Sequence, residues 1–254
     1  MEQTYLNFHK QILSKSFEKF KKHFILIVLT DMIFYALLIN SASKIIKRVL
    51  IKYNALDIPS MDQIAIQGLG KAQEVLQLTR GFFFLVVFST LFFLLISIAL
   101  ITVFKGFIWS RVSQKKLTIR LLRKFLILNL IWVTSWALLL FSSALVFESL
   151  GMLVIVLMAI ILSFVTTANA YSMFFINEKI FSSFKGFALY FSKIKHFCFS
   201  TLTFGILMVI ITILSNFIKF KYDSILFSVL FALAICFNRF QVFEITKSIV
   251  EKSK

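Results

Sequence analysis

Two ionisable side chains stand in sequence that otherwise leaves such groups out. Asp31 interrupts the apolar stretch 24–43, and Arg239 lies near the end of another, 223–243. Inside a bilayer an ionisable group must be paired, hydrated or discharged, so each of these residues marks a working or a cross-linking position. Asp31 comes seven residues after Phe24. At about 1.5 Å per helical residue that puts it roughly 10 Å into the layer. Asn129, Asn169 and Asn238 fall in the same half of the layer. This candidate intramembrane polar cluster of Asp31, Asn129, Asn169, Asn238 and Arg239 supports two kinds of chemistry. In one, Asp31 and Arg239 form an ion pair, the asparagines complete its hydrogen bonds, and the first helix is clasped to the last. In the other, the same groups line a cytoplasm-facing vestibule that handles a proton, an ion or a polar headgroup.

Other chemistries lack their residues. Intramembrane proteolysis by paired aspartates needs two Asp in facing spans, and only Asp31 qualifies. A metal site needs three or four ligands, whereas His9, His23 and His196 are scattered along the chain. Neither a Gly-x-Ser-x-Gly elbow, a phosphate-binding loop nor a His-Glu-x-x-His pair occurs. Cys198 and Cys236 both fall in apolar stretches and read as small fillers rather than a disulfide. No cofactor, no metal and no enzymatic activity are expected.

The elements that would position these residues are long apolar helices. A hydrocarbon core of about 30 Å takes about 20 helical residues. Gly81 to Phe104 runs 24 residues without Asp, Glu, Lys or Arg. Phe125 to Phe147, Ser149 to Asn177 and Phe197 to Ile218 do the same over at least 22. Adding the two interrupted stretches gives six spans, approximately 24–43, 81–104, 125–147, 150–175, 197–218 and 223–243. The expected fold is all-α, a polytopic membrane protein of six transmembrane helices in three hairpins. Six spans use roughly half of the 254 residues, so one membrane domain accounts for the chain. The first span is not expected to be a cleaved signal, because a long segment precedes it and Asp31 breaks its apolar centre. Within the spans, Ser163-x-x-x-Thr167 and the Trp132/Trp136 face read as packing positions.

The net charge of +17 would suit nucleic acid, but its placement between apolar runs suits a membrane surface. No nucleic-acid partner is expected. With the N-terminus inside, twenty of the 28 Lys and Arg fall on the cytoplasmic side. Both termini are therefore expected in the cytoplasm of a multi-pass cell-membrane protein. The long outer connection carries the only proline, Pro59, and then Ser60 and Gln63 in capping-box spacing. A short amphipathic helix should follow, lying on the outer surface or leading into the second span.

A basic, aromatic-rich segment precedes the first, third and fifth spans: Phe8 to Lys22, Phe107 to Arg123 and Phe181 to Lys195. Each enters the layer in the same way, through Lys22-His23-Phe24, Arg123-Lys124-Phe125 and Lys195-His196-Phe197. Phe17, Phe20 and Phe24 share one helical face while Lys15, Lys19 and Lys22 share another, so basic amphipathic interfacial helices are expected. Lys22, His23, Arg123, Lys124, Lys195 and His196 are the candidate lipid-interface residues. Anionic membrane lipid is the expected partner, with a protein companion or oligomer beside it.

These lead-ins and entries, above all Asn177-Glu178-Lys179 through Lys195-His196-Phe197, resemble a group of poorly characterised multi-pass families. They include the membrane domain found beside glycerophosphoryl diester phosphodiesterases. The resemblance implies a six-helix membrane domain and no phosphodiesterase activity, which would belong to a separate soluble domain. The expected role is a non-enzymatic membrane scaffold or accessory subunit contacting anionic lipid. The alternative is a small transporter or permease component with a cytoplasm-facing polar vestibule, and a lipid-active enzyme is the third class.

Overall fold

The computed structural model describes residues 2–56, 61–146, 149–217 and 223–252. All regular structure there is helical: α1 (Glu2–Asn54), α2 (Met61–Leu100), a π turn (Ile101–Lys105), α3 (Gly106–Val112), α4 (Ile119–Val146), α5 (Ser149–Asn177), α6 (Ile180–Ser192), α7 (Ile194–Phe217) and α8 (Asp223–Lys252). Among the described residues, α1, α2 with α3, α4, α7 and α8 each contain a stretch long and apolar enough to cross a membrane. The fold is all-α, with five candidate membrane spans by length and composition. α5 covers the expected fourth span as helix. The Pro59–Ser60 cap lies outside the described residues.

The chain forms two compact units, Met1–Ile33 with Ile101–Lys254, and Phe34–Leu100. In the second, α1 continues to Asn54 instead of stopping near residue 43. No glycine or proline interrupts it there. The stretch expected to form a short amphipathic helix is the start of α2, continuous with the apolar stretch 81–104. Phe83, Phe88, Phe92 and Leu95 on α2 and Ile39, Ile46 and Ile51 on α1 are exposed, as lipid-facing side chains would be. Thr79, Thr90 and Ser97 return their hydroxyls to carbonyls one turn back, which satisfies them on an apolar surface.

In the first unit α8 is the central helix: 72% of its most apolar window is buried, against 28% at most in the other candidate spans. Phe240, Phe243, Cys236 and Ala232 on α8 pack with Ile27 and Val28 of α1, Trp109 and Val112 of α3, Phe125 and Leu128 of α4, and Phe174 and Phe175 of α5. The outward faces of α1, α4 and α7 carry Ile25, Leu29, Leu130, Leu138, Leu202 and Val209, all exposed. Lys19 of α1 bonds Glu244 of α8, and the Lys252 ammonium stands over the Phe8 ring. The first and last helices thus keep their chain ends at the same end of this unit.

The three lead-ins differ in structure although they agree in sequence. The first is simply the beginning of α1, continuous with the span. Its buried stripe is His9, Ile12 and Ser16, while Phe17 is half exposed and only Phe20 and Phe24 turn toward the core. The second is broken: α3 ends at Val112, the chain turns, and α4 starts at Ile119. The third is a helix of its own, α6, but it doubles back against α5. A methyl at Gly186 would stand 2.7 Å from the Asn169 carbonyl oxygen, so only glycine permits this approach.

Candidate functional site

Asp31 is 1% exposed and its carboxylate meets two cations from distant sequence. Both terminal guanidinium nitrogens of Arg239 donate to it, Nη1 to Oδ2 and Nη2 to Oδ1, the latter at 3.2 Å. Lys105 Nζ donates to Oδ1 at 2.5 Å. The first of these is the two-pronged pairing that a planar guanidinium offers a carboxylate. The side chains of Lys105 and Arg239 are 12% and 9% exposed, so the trio is nearly enclosed. Lys105 closes the π turn, where one extra residue per turn displaces the helix face. Backbone irregularity of this kind recurs at working positions of helices.

One of the two readings of the sequence pairs Asp31 with Arg239, as here, and both miss Lys105. A lysine directly after an apolar run reads as a topology signal, and nothing local says that its stem turns back toward Asp31. The available signal was the scarcity of acids, since one carboxylate in so basic a chain attracts more than one cation.

The asparagines do not complete the bonding of Asp31. Its two oxygens are already filled by three charged donors, and each asparagine has its own hydroxyl neighbour. Asn129, fully buried, donates Nδ2 to Thr102 Oγ1 at 3.1 Å and accepts the Tyr171 hydroxyl at 2.5 Å. This joins the π turn, α4 and α5. Asn238 accepts from Ser200 of α7 at 2.6 Å. The Thr246 hydroxyl of α8 lies 3.4 Å from Asn169 Oδ1 of α5, while donating to the Val242 carbonyl. Trp132 uses its indole N–H on Thr167 at 2.8 Å and packs against Phe184 and Phe187 of α6.

The residues expected at a lipid interface separate into three places. Lys22 and His23 border a cavity of about 660 Å³ shared with α3 and the turn after it. Lys124 borders a smaller one of about 390 Å³ with Lys179 and Lys185, and Arg123 is exposed. Lys195 is exposed and its carbonyl accepts the Tyr5 hydroxyl at 2.7 Å. His196 faces His9 with ring centroids 5.8 Å apart, so two of the three scattered histidines meet. His9 is 3% exposed, and among the described residues neither ring nitrogen has a hydrogen-bond partner. Among the described residues no group of three His, Cys, Asp or Glu could hold a metal.

Two helix ends tie this end of the unit together. α3 stops in a Schellman turn: Gln114 takes φ 58°, its N–H bonds the Arg111 carbonyl, and the Lys115 N–H bonds that of Ser110. α5 stops with Glu178 at φ 56°, its N–H on the Phe174 carbonyl. Lys115 Nζ then bridges the two ends, reaching Glu178 Oε1 at 2.7 Å and the Ile176 carbonyl at 3.2 Å. The Lys115 hydrogen bond, followed by its charge, holds the Glu178 carboxyl below the ordinary carboxylate range. Lys124 Nζ adds a bond to the Glu178 carbonyl at 3.1 Å.

No protein family, curated protein or solved structure matches this chain.

Proposed function

We propose that this protein is a non-enzymatic, multi-pass membrane scaffold or accessory subunit that contacts anionic lipid. In this reading six helices cross the cell membrane, with both termini and the basic collar in the cytoplasm. The observation that carries it is how the polar side chains are used. The Asp31 carboxylate takes Arg239 and Lys105, Asn129 accepts the Tyr171 hydroxyl, and Asn238 accepts that of Ser200, each from another helix. Groups spent on one another hold helices in register; a vestibule for a polar substrate would present them to water. The shared end of α1 and α8, and the Lys115 bridge between the α3 and α5 ends, support a common side for these segments.

Native mass spectrometry of the protein extracted gently from its own membrane tests the reading. A companion protein in fixed stoichiometry is the expected result. Bare protein that catalyses flux of an ion or small molecule in proteoliposomes would replace it. A transporter or permease component is the second reading, and the π turn favours it, because it sets Lys105 against Asp31 beside irregular backbone.

A further inference from the structure

The cavity beside Lys22 and His23 has a chemistry of its own. It holds about 660 Å³, lies between α1 and the α3–α4 turn, and belongs wholly to the first unit. Lys22, His23, Arg111, Lys115 and Lys116 line it, and among the described residues no carboxylate does. Beside Lys115, whose charge the Glu178 carboxylate meets, Lys22, Arg111 and Lys116 are three further permanent cations around one space, and their repulsion is a cost an anion would reverse. Two of these side chains are already positioned. Lys115 is held by Glu178 and the Ile176 carbonyl, and the Arg111 guanidinium lies over the Phe107 ring, 5.1 Å from its centroid. Arg111 and Lys116 are exposed, so their donors are open to a ligand. Gln114, held at φ 58° by the Schellman turn, adds a neutral amide at the wall. Phe107 and Leu117 supply an apolar lip.

We propose that this cavity is a binding site for a phosphate group, carried by an anionic lipid headgroup or by a soluble phosphate ester. A tetrahedral anion with several acceptor oxygens can engage converging donors at once, and Arg grips it through two parallel bonds. A single carboxylate would use only part of the set. The volume exceeds a bare phosphate and leaves room for the group that carries it. This inference rests on the lipid-contacting part of the function proposed above and gives that contact a definite place.

The test uses the full chain in nanodiscs of phosphatidylcholine, alone or doped with phosphatidic acid, and reads retained lipid by native mass spectrometry. A parallel titration adds glycerol 3-phosphate to the undoped discs. Wild type should retain one phosphatidic acid, and Arg111→Gln with Lys116→Gln should weaken it about 10-fold or more, the loss expected when charged contacts are removed. Lys47→Gln, an exposed basic residue that does not line this cavity, should leave retention within about 2-fold, being a surface charge in high dielectric. Lys116→Gln alone, at an exposed site, repeats the test with little demand on folding. Variant-sensitive binding of phosphatidic acid alone supports the lipid source; variant-sensitive binding of glycerol 3-phosphate supports the soluble ester. Retention that ignores Arg111 and Lys116, or that falls equally with Lys47→Gln, overturns the site. A protein companion found together with insensitive retention leaves the scaffold reading standing and removes only the cavity. Sensitive retention without a companion does the reverse.

Discussion

Asp31 on α1 and Arg239 on α8 lie 208 positions apart in sequence, yet the guanidinium closes both nitrogens onto the one carboxylate. Lys105 then makes the group a trio in which each charge depends on the others for its solvation. Removing one partner of a buried pair typically costs about 3–5 kcal/mol, whereas replacing the whole group by apolar residues can be neutral. Asp31→Asn should therefore lower the melting temperature in detergent sharply, because it leaves two buried cations facing an amide. The triple change Asp31→Leu, Lys105→Met, Arg239→Met should recover most of the loss. Unchanged melting and proteolysis in Asp31→Asn would remove the clasp.

Gly186 and Gly205 predict opposite responses to the same substitution. A methyl at Gly186 meets the Asn169 carbonyl oxygen at 2.7 Å, its carbon at 3.0 Å and Met173 Cγ at 3.0 Å. Two of those atoms are backbone of α5, so α6 itself must move. Gly186→Ala should cost about 1–3 kcal/mol, the range for overpacking. Gly205 in α7 has nothing within 4 Å of the added carbon, so Gly205→Ala should stabilise by about 0.5–1 kcal/mol through helix propensity. Detergent melting curves of the two variants decide the matter, and a matching sign would show that the α5–α6 approach is not tight.

What could be read in advance follows from where the information sits. The helices were legible because uninterrupted apolar runs leave few alternatives. The Asp31–Arg239 pair was legible because charge in an apolar run demands a partner. The lead-ins were not. Nothing between Lys22 and Phe24 breaks a helix, so the first stays continuous, but the breaks at Gln114 and Glu178 carry neither glycine nor proline. Both adopt a left-handed backbone that these residue types seldom signal. His9 and His196 meet only because the start of α1 meets the start of α7, a tertiary relation without local trace. For the same reason Lys105 looked like a loop charge.

Asn129 carries a prediction about coupling. Its amide links Thr102 in the π turn to Tyr171 on α5, and both it and Tyr171 are buried. Asn129→Ala leaves the Tyr171 hydroxyl without its acceptor, which costs about 1–3 kcal/mol for a buried polar group. Tyr171→Phe removes the hydroxyl along with the demand and should cost less. The double variant should then be less destabilised than the two singles summed, with a coupling of about 0.5–3 kcal/mol in a double-mutant cycle. Additive effects would mean that Asn129 acts through packing alone.

Acid should loosen the bridge between the ends of α3 and α5. The Lys115 hydrogen bond and charge depress the Glu178 carboxyl in the folded protein. A depressed acid binds fewer protons folded than unfolded, so its contribution is complete above the ordinary value of about 4.3 and is lost as pH falls through the folded one. Glu178 is half exposed, which keeps the effect small. Glu178→Gln should melt slightly below wild type at neutral pH, by a margin that stays constant down to about pH 5 and closes below about pH 4. The bonds from Lys115 to the Ile176 carbonyl and from Lys124 to the Glu178 carbonyl survive the substitution, so the margin isolates the carboxylate. A margin that persists unchanged at pH 3 would assign the stabilisation to those main-chain bonds and to the shape of the turn.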